Sequence, residues 1–248
     1  RERPQPAGHN PHLWPLNPPP SMLEIYAALD RMHAWRGWHW WPDADPFEVA
    51  VGSILVQNTM WTNVERALER LRAAGAIDPA AMAALSGSEL EDLVRPSGQF
   101  RQKARKLRAF LDLISEHGSL DALLSLEPAT LRGRLLATWG IGPETADCIV
   151  CYSAGWPALV IDAYTMRIFG RLGLGPPGAD YHVWQEWMAA AINREHRASS
   201  LAITRRDLYA RYHALIVMHA KHLCQKRAPA CAECELRDRC AFACQARG

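Results

Sequence analysis

From Ser21 onward the apolar positions of this chain return every three or four residues, the period of a helix with one buried face. Met22, Leu23, Ile25, Tyr26 and Leu29 form the first such stripe, and Ser21, just ahead of it, is a residue type that caps a helix N-terminus. A second stripe opens at Pro46 with Phe47-Glu48-Val49-Ala50, where proline suits a first helical position. The same spacing predicts helices over 62–74, 79–84, 88–94, 101–117, 119–125, 128–137, 143–154, 163–172, 181–196 and 205–222. Gly, Pro, Ser and Asp punctuate the gaps. Alternating apolar and polar positions are scarce, and the run Leu159-Val160-Ile161 is the one strand-like stretch. The pattern therefore predicts an all-α protein. Residues 1–20 are proline-rich, carry no stripe and are expected to be flexible.

Composition narrows the class. The 248 residues, 49% hydrophobic, suffice for one large domain or two small ones with a real core. No apolar run is long enough to cross a bilayer, so no membrane partner is expected. The polar opening is unlike a signal peptide, which points to the cytoplasm. A net charge of +2 does not demand an anionic partner, so local clusters carry more information. One such cluster is Arg101-Gln102-Lys103-Ala104-Arg105-Lys106-Leu107-Arg108. It reads either as a solvated helix face or as a set of phosphate contacts. Ten tryptophans are many for this length; they suit core packing or the stacking of flat ligands such as bases.

Seven cysteines are present, and five lie close to the C-terminus. Cys224, Cys231, Cys234 and Cys240 have the spacing C-x6-C-x2-C-x5-C. Thiolates at this density can close around one soft metal centre, either Zn²⁺ or an iron–sulfur cluster, and spacing alone does not separate the two. Cys148 and Cys151 sit in an apolar helical stretch and read as core; Cys244 is left over. The cysteine tail resembles the 4Fe–4S loop of the endonuclease III family. That resemblance implies a structural cluster near DNA, with Lys226 and Arg227 turned towards phosphates.

Two further segments carry the resemblance. Residues 135–150, LLATWGIGPETADCIV, place Gly140-Ile141-Gly142 in a tight turn between two helices. Most such turns only join helices, but the exposed N–H groups of one can also hold a phosphate. The segment resembles the helix–hairpin–helix of DNA glycosylases. Downstream lies Asp162, after the apolar run and ahead of Ala163-Tyr164-Thr165. By itself it reads as the N-cap of the helix beginning at Ala163. The family carries a catalytic aspartate at this distance from its hairpin, so the resemblance implies that Asp162 stabilises positive charge on the sugar and orients water. Glu144 departs from endonuclease III proper, which has its lyase lysine there; glutamate forms no Schiff base. An acidic residue also favours a helix N-terminus.

Gln57, in Ile54-Leu55-Val56-Gln57-Asn58-Thr59, matches the glutamine that enters the gap left by an extruded base; the plainer reading is a buried or helix-terminal amide. Trp40-Trp41-Pro42, Trp61, Val94-Arg95-Pro96-Ser97-Gly98, Ala146-Asp147, Cys151-Tyr152 and Leu208-Tyr209-Ala210-Arg211-Tyr212-His213 are similar to the bacterial 3-methyladenine glycosylase III type, from about 38 to 222. Members of that type often lack the cysteine loop, so the chain combines features of two branches. The likeness implies a base pocket flanked by Trp40, Trp41 and Trp61, with Lys221 as a pocket lysine and Glu144 favouring a cationic base. Lys221 reads equally well as a phosphate contact.

Together these readings predict a helix–hairpin–helix DNA glycosylase of two helical lobes. One, 45–155, is a six-helix domain with the hairpin; the other joins 21–44 to 156–248 and holds the 4Fe–4S loop, 224–240. The active site is expected in the cleft between them. Asp162 and Glu144 are the catalytic candidates, and Gln57, Gly140, Gly142, Lys103, Arg105 and Lys106 the DNA-binding ones. The expected substrate is an alkylated purine, of the 3-methyladenine kind, in double-stranded DNA, released by a monomer of the bacterial nucleoid without strand cleavage. An oxidised-pyrimidine glycosylase with lyase activity, a non-catalytic binder of damaged DNA and a zinc-bound tail are the alternatives.

Overall fold

The structure, a computed structural model, describes residues 19–33 and 45–245; the proline-rich start up to 18 and the candidate pocket residues Trp40 and Trp41 lie outside them. The chain's regular structure is helical, with no strand among the described residues. The α-helices in order are α1 Met22–His33, α2 Pro46–Leu55, α3 Trp61–Ala73, α4 Pro79–Ala84, α5 Gly87–Val94, α6 Phe100–Glu116, α7 Leu120–Leu124, α8 Pro128–Ala137, α9 Pro143–Cys148, α10 Ala163–Leu172, α11 Tyr181–Ala198, α12 Arg205–His222 and α13 Ala241–Gln245. A single π turn, Ile149–Ser153, prolongs α9.

Local chemistry explains where the helices start. Ser21 and Glu24 exchange hydrogen bonds across the first turn of α1: the Glu24 amide donates to Ser21 Oγ, and the Ser21 amide donates to the Glu24 carboxylate. Ser86 and Glu89 do the same at α5. Asp45, Asp78, Ser119, Asp162 and Asp180 cap α2, α4, α7, α10 and α11 through their side chains. Proline opens α2, α4, α8 and α9, where its missing N–H costs nothing. Leu159, Val160 and Ile161 are buried but pair with no strand among the described residues. The β-branched Val160 and Ile161 fit extended backbone, and the Ile161 amide donates to the Tyr181 hydroxyl at 3.3 Å instead of to a ladder.

The chain divides into two compact units. Among the described residues one takes in 45–160 and 204–210, the other 19–33, 161–203 and 211–245. The first is built on a core in which Phe47 of α2 stacks on Phe110 of α6, centroids 6.4 Å apart, amid Val51, Ile54, Leu68, Leu71, Leu107 and Leu131. Each fully buried side chain of this size contributes about 1.5–3 kcal/mol. Across its hairpin, Asp147 of α9 is buried and accepts two hydrogen bonds from the Arg132 guanidinium of α8, at 2.7 and 3.2 Å.

The second unit packs α1 against α11. The Glu195 carboxylate of α11 receives the first amides of α1, Met22 at 3.1 Å and Leu23 at 2.8 Å, where the helix dipole favours an anion. Tyr212 of α12 is fully buried; its hydroxyl donates to the Met22 carbonyl at 2.8 Å and its ring meets Tyr26 edge-on. Trp184 and Trp187 pack edge-on to each other, centroids 5.6 Å apart, so these two tryptophans serve the interior.

Because Asp147 is almost sealed from water, removing its partner leaves a buried charge without its guanidinium. Arg132→Ala is expected to destabilise this unit by about 2–3 kcal/mol, below the cost of breaking a fully buried pair since the arginine is partly solvated. The measurement is the urea midpoint of unfolding. A change no larger than that of a surface arginine would show that the pair contributes little.

Candidate functional site

The hairpin between α8 and α9 is built for close approach. Gly140 has φ +83°, a conformation costly for any side chain, and a Cβ there would come within 2.5 Å of Lys106 Cγ. The Lys106 stem thus packs against the bare backbone of the turn, and its amine donates to Gln57 Oε1. Gln57, just past the end of α2, gives its Nε2 protons to the Gly140 carbonyl at 3.2 Å and to Thr145 Oγ1 at 2.9 Å. Gln57, Lys106, Gly140 and Thr145 therefore form one polar network on the first unit. Arg105 is exposed and stacks on the indole of Trp139, 3.9 Å from the centroid, at the edge of the same turn. Gly142 caps α9, and Glu144 stands exposed in its first turn.

Asp162 begins α10 on the second unit. It is 7% exposed, and Oδ1 accepts the Thr165 amide at 2.7 Å and the Thr165 hydroxyl at 2.8 Å. Oδ2 faces Nε2 of His213 from α12 at 3.5 Å. Burial pushes its titration up, but the His213 imidazole and the two Thr165 donors outweigh that and hold the carboxyl below its ordinary range. The N-cap reading of Asp162 is thus fulfilled, with a second contact that a cap does not need.

The far end of α10 organises the cysteine segment. Arg167 and Arg171 donate to the Ala220, Cys224, Gln225 and Lys226 carbonyls, and Arg171 Nη1 also reaches Cys224 Sγ at 3.2 Å. Cys224, Cys231, Cys234 and Cys240 line one cavity of about 30 Å³, walled by Ile168, Leu172, Leu223, Leu236 and Phe242. The thiols surround this space; among the described residues they do not converge into a single-ion site. Burial pushes Cys234 up to about 11 and Cys240 upward, with the neighbouring thiols adding to the rise. Four thiols around one small space, in an apolar shell crossed by a guanidinium, suit a group whose positive metal charge would neutralise their thiolates. The donor set therefore fits a thiolate-bound metal cluster. His219 Nε2 lies 3.7 Å from Cys234 Sγ, and its Nδ1 pairs with His33 Nε2 at 3.0 Å in the interior. Burial, and then His33, push His219 down to about 3.

One expectation needs correction. Lys103 does not lie on the exposed basic face of α6: it is 2% exposed, and its amine donates to the Ser97 carbonyl at 2.5 Å. The helical period turns position 103 inward with Ala104 and Leu107, leaving Arg101 and Arg105 outside. Lys221 is exposed in the last turn of α12, a placement open to both of its readings. Trp61 opens α3, half-buried against the core of the first unit, with its indole N–H given to Glu65 at 2.9 Å. Sequence reasoning missed three contributors. His213 was visible only as part of a motif, Thr145 as a neighbour of Glu144, and Arg171 as one of many arginines; no spacing rule ties any of them to its partner.

Comparison with known proteins agrees with this arrangement. Residues 51–190 match the family of HhH-GPD superfamily base excision DNA repair proteins. A putative DNA repair glycosylase of Methanocaldococcus jannaschii, MJ1434, is 35% identical over 205 residues, 82% of this chain and 88% of that one. Endonuclease III of Thermotoga maritima is 27% identical over 200 residues, 81% of this chain and 84% of its own. Among solved structures, H. pylori 3-methyladenine DNA glycosylase (MagIII) bound to 1,N6-ethenoadenine superposes with a TM-score of 0.73 at 29% identity, covering 82% of this chain and 98% of that one. With its hairpin between α8 and α9 and its all-helical architecture, the chain belongs to the HhH-GPD superfamily of base excision DNA repair proteins, as an endonuclease III-like DNA glycosylase.

Proposed function

We propose that this glycosylase releases alkylated purines from double-stranded DNA by hydrolysis, without cutting the strand, and that Asp162 is its catalytic carboxylate. The observation that carries the reading is the state of Asp162: a buried side chain, fixed by Thr165 and held in its charged form. Departure of a base builds positive charge on the sugar, and a fixed anion beside C1′ stabilises that charge without reorganising. The same oxygen set accepts a hydrogen bond from the attacking water and orients it. An alkylated purine is already cationic, so its bond breaks with little acid assistance.

The absence of strand cleavage follows from Glu144. It occupies the exposed first turn of α9, where endonuclease III carries its attacking amine. The amine beside the hairpin, Lys106, donates to Gln57 and lies on the stem of a different helix. A carboxylate at 144 also favours a cationic base, and Trp61, with Trp40 and Trp41, supplies indole faces for stacking. The H. pylori relative holds 1,N6-ethenoadenine, a modified purine, which supports the same substrate class. Arg105 and the Gly140–Gly142 turn are the DNA contacts of this reading, with Gln57 as the residue that fills the vacated stack once it leaves its hairpin bonds.

The four cysteines are assigned a 4Fe–4S cluster in this reading, a structural group that draws the thiolates into one loop and brings Lys226 and Arg227 to the phosphate side. Arg171 would hold Cys224 and the backbone on either side of it, and the surrounding apolar residues would keep water from the thiolates.

Four outcomes are expected. Asp162→Asn should lower the rate of alkylpurine release by about a hundredfold or more, the usual scale for losing a preorganised charge stabiliser, while binding to abasic DNA survives; base release is followed by chromatography. The wild-type enzyme should leave the backbone of abasic DNA intact and give no borohydride-trapped adduct. A strong adduct lost on replacing one lysine would instead favour the lyase alternative. Arg105→Ala should reduce the slope of log affinity against log salt by about one. Finally, the purified protein should be brown, absorb near ~400 nm through thiolate–iron charge transfer, and lose that band in Cys234→Ser; a colourless protein carrying zinc would overturn the cluster assignment.

A further inference from the structure

The Asp162 carboxylate has more partners than its capping role requires. A cap needs one oxygen, and Oδ1 meets that need through the Thr165 amide and hydroxyl. Oδ2 is left over. At an ordinary helix start it would face water; here the residue is buried, and what stands before Oδ2 is the ring of His213, itself 4% exposed. Their 3.5 Å separation lies beyond an ordinary N–H···O bond and within ion-pair range. Two buried, complementary groups, 51 positions apart in sequence and carried by different helices, meet at the atom that the capping geometry leaves unused.

We propose that His213 is a positioning residue for base excision: its imidazole holds Oδ2 of Asp162 so that the carboxylate stays charged and aimed in a site that would otherwise protonate it. This rests on the reading of Asp162 as the catalytic carboxylate. Desolvation alone disfavours an anion here. The groups that face Asp162 are Thr165 from α10 and His213 from α12, while the Tyr181 hydroxyl of α11 sits one residue away on the Ile161 amide. Thr165 is uncharged and fixes Oδ1 only. His213 is therefore the group that offers the second oxygen a charge or an N–H in place of water. Its ring is held by burial on the long helix α12, so the position of Oδ2 is set by tertiary packing and not by the helix that Asp162 begins.

The sign of the pH effect follows. The working form of Asp162 is the anion, so activity is present above its titration and is lost as pH falls through it. His213 lowers that titration; without it the acidic limb of the rate profile moves to higher pH. A residue that only fills space would change stability and leave the limb in place.

The experiment measures single-turnover base release from methylated duplex DNA against pH for the wild type and for H213L, H213Q and D162N, with thermal midpoints taken alongside. On the acidic limb, at pH below its titration, H213L is expected to lose roughly tenfold in rate for each unit by which the carboxyl's titration rises, with half-saturation little changed. Its acidic limb should move upward. H213Q keeps an N–H donor and should recover part of the rate and part of the shift. Should H213L fail to fold, H213Q against the wild type reads the same limb. An inactive D162N together with H213 variants whose limb stays where the wild type has it would overturn the role of His213 alone. A fully active D162N would overturn the reading of Asp162 and, with it, this proposal.

Discussion

A charge taken out of water must be given partners, and the second unit of this protein is arranged around that requirement at the start of α10. Asp162 is buried, and it is stable there because Thr165 supplies two donors and His213 faces the remaining oxygen. The capping bonds are local and would form in any helix that begins Asp-Ala-Tyr-Thr. The imidazole is not local. It comes from α12, so the carboxylate is fully satisfied only when α10 and α12 are docked. Burial, charge and orientation at position 162 are thus one constraint.

The other end of the same helix has a comparable task. Arg167 and Arg171 reach the carbonyls of 220 and 224–226 and so hold the chain as it enters the cysteine loop. Arg171 also touches Cys224 Sγ and stacks beneath Phe242. One ten-residue helix therefore ties the capped carboxylate to the cysteine cavity. On the first unit, the polar network of Gln57, Lys106, Gly140 and Thr145 does for the hairpin what Arg167 and Arg171 do for the loop: backbone carbonyls that no helix satisfies are taken up by side chains.

How much of this could be read in advance depends on the range of the interaction. The helices α4, α8, α10 and α12 stand at the predicted limits, because Asp78-Pro79, Pro128, Asp162 and the apolar stripe of 205–222 are local signals. Lys103 was misread because a basic run was taken as one face, although the helical period divides it: 103 turns inward with 104 and 107, and 101 and 105 turn outward. The strand-like run 159–161 is extended and buried, yet forms no ladder among the described residues, since strand propensity needs a partner and none is supplied.

The sequence alone determined the all-helical class, the caps and prolines that start most of the helices, the tight glycine turn at 140–142 and the clustering of four cysteines near the end. These are properties of neighbours within a few residues, where backbone geometry and side-chain chemistry act directly. Tertiary structure alone decided that Asp162 meets His213, that His33 pairs with His219 beside Cys234, that Arg132 pairs with the buried Asp147, and that Gln57 is tied to Gly140 and Thr145. Each of those contacts joins residues from different elements. Their meeting depends on how helices dock, and docking is set by the shape of apolar faces, which a linear pattern specifies only in outline.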